Sequence, residues 1–85
     1  MKYLRIISLF TLLLITPVYA QEININSATA EQIAENIKGV GIKKAISIVE
    51  YREKHGNFHT AKDLMKIKGI GQKIVDENEK NLRFK

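Results

Sequence analysis

The chain has 85 residues, with 14 Lys and Arg, 9 Asp and Glu, and no Cys. That length allows one small domain, and the lack of Cys excludes a disulfide-stapled scaffold. The core must therefore come from packing alone, near the lower size limit for an independent fold.

The first twenty residues have the three parts of a secretory signal. Lys2 and Arg5 form a positive start, and Ile6 to Ile15 is apolar apart from Ser8 and Thr11. Pro17 breaks the run, and Val18-Tyr19-Ala20 offers a cleavage site. The apolar run is about half the length a spanning helix needs, which disfavours a permanent anchor. The expectation is a signal peptide over 1–20, cleaved after Ala20, and a domain over 21–85. Without Lys2 and Arg5, twelve basic residues face nine acids.

Ile23-Asn24-Ile25-Asn26 alternates apolar and polar residues and reads as a short extended arm. Thr29 and Gln32 have capping-box spacing, and a helix is predicted from about Ala30 to Ile37. Gly39-Val40-Gly41 closes it in a tight turn. A second helix is predicted over about Ile42 to Lys54, with Ile42, Ala45, Ile46 and Val49 as its apolar stripe and Gly56 as its stop. Phe58 is expected to plug the core. Thr60 and Asp63 repeat the cap before a short helix carrying Leu64 and Ile67. Gly69-Ile70-Gly71 forms a second turn. A last helix is predicted from about Gln72 to Leu82, with a frayed tail after it. The predicted fold class is all-α: two helix-hairpin-helix units packed as one small domain of four to five helices.

The two turns belong to a repeat. Residues 36–45 and 66–75 match in pattern thirty positions apart; each has an Ile-Lys pair, then Gly-apolar-Gly, with three Lys and no acid. Six Lys thus sit in two short windows, while the rest of residues 21–85 carries six basic residues against nine acids. A helix follows each turn, and its first amides lack internal partners and carry the positive end of the helix dipole. Phosphate is the anion suited to such a place. Folding alone favours acids there, yet Lys43, Lys44 and Lys73 occupy these starts, at about a few tenths of a kcal/mol each. Residues that oppose a local folding rule are candidates for function.

The pattern from Ile37 to Ala45 resembles the helix-hairpin-helix motif of DNA-binding proteins that ignore sequence. The wider set Ile25 to Ala28, Ile37 to Ile48, Tyr51 to Lys54, Gly56 to Phe58, Asp63-Leu64 and Ile67 to Lys73 resembles the ComEA family of competence DNA receptors. That resemblance implies an exported, periplasmic, non-enzymatic domain that holds double-stranded DNA during uptake in natural transformation. By position, Gly39, Val40, Gly41 and Ile42 would hold phosphates of one strand. Gly69, Ile70, Gly71 and Gln72 would hold the other across a minor groove, with charge from Lys43, Lys44 and Lys73. Val75 stands where the motif prefers Ala, and Asp76, Glu77 and Glu79 follow, so the first hairpin is expected to be the stronger site.

Other constellations are weaker. His55 and His59 are four apart, but Gly56 and Asn57 interrupt any helix between them and a third ligand is lacking, so no metal site is expected. No small-molecule substrate or organic cofactor is implied, and a monovalent cation beside a hairpin stays open. Tyr51 suits a stacked base or a core lid equally. Contact with uptake-machinery proteins stays open, and so does the alternative that the fold is an envelope assembly module with no DNA role.

Overall fold

A computed structural model describes residues 21–85; the expected signal peptide lies outside the described residues. Its elements are strand β1 (Ile23–Asn24), helix α1 (Ala30–Asn36), helix α2 (Ile42–His55), a 3-10 helix (Ala61–Lys66), helix α3 (Gln72–Asn78), a 3-10 turn (Glu79–Asn81) and strand β2 (Leu82–Arg83). The fold is mostly helical and contains the two expected helix-hairpin-helix units. Among the described residues, no helix is long and apolar enough to cross a membrane.

Local chemistry sets the starts of the first helix in each unit. Thr29 accepts from the Gln32 amide while the Gln32 side chain accepts from Thr29. Thr60 and Asp63 make the same reciprocal pair. Such a box satisfies two otherwise free amides at once. Gly56 ends α2, its amide donating to Arg52.

The repeat is visible in the core. Ile37, Val40 and Ala45 of the first unit are buried, and so are Ile67, Ile70 and Val75, their counterparts thirty positions on. The larger Val75 is accommodated in the core. Phe58 plugs the centre, 1% exposed, and Asn26 holds it there: its side chain accepts from the Phe58 amide at 2.7 Å and donates to the Phe58 carbonyl at 2.9 Å. Arg52 donates to the Ile25 carbonyl at 2.8 Å, fixing the N-terminal arm against α2.

Two expectations are corrected here. The last helix stops at Asn78 rather than Leu82, and Leu82–Arg83 is a strand rather than a helix end followed by a frayed tail. It pairs in parallel with β1, Ile23 opposite Leu82 and Asn24 opposite Arg83, and an Arg83–Glu22 ion pair lies beside the ladder. Leu82 and Ile23 are both buried by this pairing, which a continued helix would not achieve. The second correction concerns α2. Its buried residues are Ala45 and Ile48, while Ile42 and Ile46 are 47% and 45% exposed. The inward face of α2 thus runs through Ala45 and Ile48, which leaves Ile42 and Ile46 at the surface.

Candidate functional site

Each hairpin is a four-residue turn closed by one backbone bond. Val40 donates to the Ile37 carbonyl at 3.2 Å, and Ile70 donates to the Ile67 carbonyl at 3.1 Å. The third residue of each turn has positive φ, Gly39 at 86° and Gly69 at 93°. That conformation favours glycine, as the third position of a type II turn requires. The apolar residue between the glycines points inward in both copies, Val40 3% and Ile70 4% exposed. It anchors the turn and leaves backbone and Lys at the surface.

The second glycine of each pair has another role. Gly41 and Gly71 are the N-caps of α2 and α3, in extended conformation, and neither makes a side-chain cap. The first internal helix bonds run from Ala45 to Gly41 and from Val75 to Gly71. The amides of residues 42–44 and 72–74 therefore lie ahead of the helical ladder. Neither first turn holds an acid, whereas α1 starts with Glu31 and the 3-10 helix with Asp63. So the first helix of each unit is capped by side chains and the second is left open. A β-carbon on Gly41 or Gly71 would meet nothing within 4 Å, so the approach to these amides is clear.

The two turns sit side by side, each against the helix that follows the other. A β-carbon on Gly39 would lie 3.2 Å from Ile74 Cγ1, and one on Gly69 would lie 2.9 Å from Lys44 Cε. Lys44 and Ile74 are equivalent positions of the repeat, so the packing is reciprocal. Its chemistry is not: Lys44 brings a cation to the second hairpin, and Ile74 brings none to the first. Lys44, expected from its position in the sequence to serve the first hairpin, is half-buried against the second.

Helical spacing places Asn78 on the face of α3 that carries Ile74 and Val75, but it names no partner for it. Asn78 is 3% exposed and lies forty positions from the turn it holds. Its side chain accepts from the Lys38 amide at 2.8 Å and donates to the Lys38 carbonyl at 2.9 Å and the Ile74 carbonyl at 2.7 Å. α3 thereby clamps the first hairpin. A buried polar residue on an apolar helix face is the signal that could have found it.

The remaining candidates fall as follows. Lys38, Lys43, Lys68 and Lys73 are exposed. Gln72 donates to Asp76 at 2.7 Å, which places a carboxylate beside the start of α3. α2 has fourteen residues behind its open end and α3 has seven. Tyr51 lies between two rings, 5.3 Å from Phe58 and 4.4 Å from His55, and so covers the core.

Two side-by-side turns, each leading into an uncapped, acid-free helix start, define a tandem helix-hairpin-helix domain. A family model of the helix-hairpin-helix motif matches residues 18–83, and the chain belongs to that family. It is 45% identical over 67 residues to an uncharacterized protein of Haemophilus influenzae, covering 79% of this chain and 60% of the relative. It is 41% identical over 63 residues to ComE operon protein 1 of Bacillus subtilis, covering 74% of this chain and 30% of that protein. This agrees with the ComEA-type pattern read from the hairpins. A third relative, endonuclease/exonuclease/phosphatase family domain-containing protein 1 of Rattus norvegicus, is 41% identical over 54 residues; they are 64% of this chain and 9% of that protein. The chain thus spans less than two thirds of the length of these relatives.

Proposed function

We propose that this domain binds double-stranded DNA through its phosphates, without regard to sequence and without catalysis, and acts in DNA uptake during natural transformation. One observation carries the reading: the two helices that follow the hairpins start without a cap and without an acid, although the other two starts have both. Open amides, the dipole and nearby Lys all favour an anion there. Gly39, Gly41 and Ile42 face one strand and Gly69, Gly71 and Gln72 the other, while Val40 and Ile70 anchor the two turns from inside, their amides bonded to Ile37 and Ile67. Lys43, Lys44 and Lys73 supply charge. The relationship to ComE operon protein 1 supports the competence context, and the signal-like residues 1–20 support export to the periplasm.

The test exploits the geometry of the N-caps. Gly41→Asp and Gly71→Asp meet no steric obstacle, and Asp is at least as good an N-cap as Gly. Each variant is expected to fold as well as the parent, judged by circular dichroism and urea titration. Each should nevertheless lose most of its affinity for duplex DNA in fluorescence anisotropy, because the new carboxylate occupies the amides and repels phosphate. Full binding by the doubly substituted protein would refute the hairpin mechanism.

A second reading rests on the exposed pair Ile42 and Ile46, which suits a protein partner better than a phosphate. On that reading the fold is an assembly module of the cell envelope. No DNA binding by the parent protein at low salt would favour it.

A further inference from the structure

A hollow of about 360 Å³ opens between the second half of α2 and the second hairpin. From α2 it is lined by Glu50, Tyr51, Lys54 and His55, and from the hairpin side by Lys66 and Lys68. Its lining thus holds three lysines and one acid. Lys66 also lies 3.9 Å from Asp63, a loose contact at an exposed side chain. Another hollow, about 400 Å³, lies along the end of α1 and the first hairpin; its lining holds one lysine, Lys38, and one acid, Glu35, and so is balanced in charge.

Two further observations tie the basic hollow to the hairpin. Lys68 is the second residue of the turn that Ile67 and Ile70 close, so the hollow opens beside the start of the hairpin. Its far wall is fixed, because Tyr51 is held by the Phe58 and His55 rings. The lining charge of this open hollow favours an anion.

We infer that this hollow takes a further phosphate of the strand held at the second hairpin, with Lys54 as a contact outside both repeat windows. The inference rests on the DNA reading above and extends it: the grip is asymmetric, and the second strand is followed further than the first. Lys54 lies in the last turn of α2, where it also favours the helix dipole. A loss of charge there must therefore be separated from a loss of helix.

The experiment is a salt titration of duplex binding by fluorescence anisotropy, with the parent protein and five single variants. Lys54→Ala is expected to weaken binding several-fold and to lower the log–log salt slope by about 1, the effect of one lost phosphate contact. Lys54→Arg should restore both. Glu50→Gln should tighten binding, a direction that damage to the fold does not produce. Glu53→Gln, exposed on the same helix but outside the hollow, should change it less. Lys80→Ala, exposed in the C-terminal 3-10 turn, should leave the slope unchanged. Equal slopes for the parent and Lys54→Ala, or equal shifts for Glu50→Gln and Glu53→Gln, overturn the inference. If Gly71→Asp abolishes binding while Lys54→Ala does nothing, the hairpin reading stands and only the hollow falls. If the parent protein does not bind, both fall together.

Discussion

Lys44 lies across Gly69, so close that a β-carbon at residue 69 would stand 2.9 Å from Lys44 Cε. The contact joins the start of α2 to the turn of the other unit. It transfers a charge from the first repeat to the second hairpin, and it makes Gly69 a glycine for two reasons, its φ of 93° and the lysine stem above it. Lys44→Met keeps the stem and removes the ammonium. It should leave stability within about 0.5 kcal/mol, as for most surface changes, while DNA affinity drops several-fold and the salt slope falls by about 1. Coupling identifies the hairpin served. Lys44→Met should add little to Gly71→Asp but keep its full effect on Gly41→Asp. The opposite pattern in anisotropy titrations would return Lys44 to the first hairpin.

The glycines of each pair should respond differently to alanine. Gly69→Ala places a side chain in the left-handed region, at about 1–2 kcal/mol, and pushes Lys44 aside. Gly71→Ala has free space and an ordinary φ of −110°. Its cost is confined to a poorer N-cap, about 0.5 kcal/mol. Urea unfolding of the two variants should therefore separate them by roughly a kcal/mol, and equal stability would contradict the turn geometry.

Asn78 should matter more to the first hairpin than any residue of that hairpin's own helices. Asn78→Ala removes three hydrogen bonds and leaves a cavity; Asn78→Leu fills the space but still leaves the Lys38 amide and carbonyl without their partner. Both should destabilise the domain by about 2–3 kcal/mol, the range for a broken buried polar cluster. The Lys38 amide should exchange with solvent faster in both variants. If Asn78→Leu were as stable as the parent, packing rather than the clamp would be holding the turn.

Asp63 gives the domain a defined acid response. Its carboxylate accepts from the His59 amide at 2.9 Å and the Thr60 amide at 3.2 Å, and Lys66 lies nearby. The His59 bond, then the Thr60 bond, hold its pKa below the ordinary carboxylate value, with a smaller contribution from Lys66. A depressed pKa stabilises the fold above the unfolded-state pKa, and that stability is lost as pH falls through the folded value. Asp63→Asn should therefore be less stable than the parent at neutral pH, and the gap should close below about pH 4, the ordinary aspartate value. Urea midpoints at pH 7 and pH 3 check this; a gap that widens in acid would contradict it.

Much of this was readable in the chain before folding. The Thr29–Gln32 box, both glycine turns, the inward Val40 and Ile70 and the Phe58 plug all follow from local rules, because the residues involved are near neighbours. What was hidden depends on distant pairs. The strand at Leu82–Arg83 exists because Ile23 and Ile25 lie alongside it, sixty residues away in the chain. Ile42 and Ile46 have helical spacing and look buried, but α2 turns its Ala45–Ile48 face to the core and leaves them outside. Neither the reach of Lys44 to Gly69 nor the hold of Asn78 on Lys38 leaves a periodic trace.

The salt response of the whole domain is the broadest check on the proposed grip. Two hairpins that neutralise about four phosphates between them give a log–log slope near −3 to −4, with micromolar affinity. Contacts made by backbone amides and Lys carry no base information. Duplexes of unrelated sequence should therefore bind within a few-fold of one another, at every salt concentration. Anisotropy titrations with several duplexes between about 50 and 200 mM salt measure both quantities at once. A slope near zero would remove the electrostatic mechanism. A steep slope with a strong preference for one sequence would keep the charges but require side chains to read the bases, which the short, inward-anchored turns at Val40 and Ile70 are not built to do.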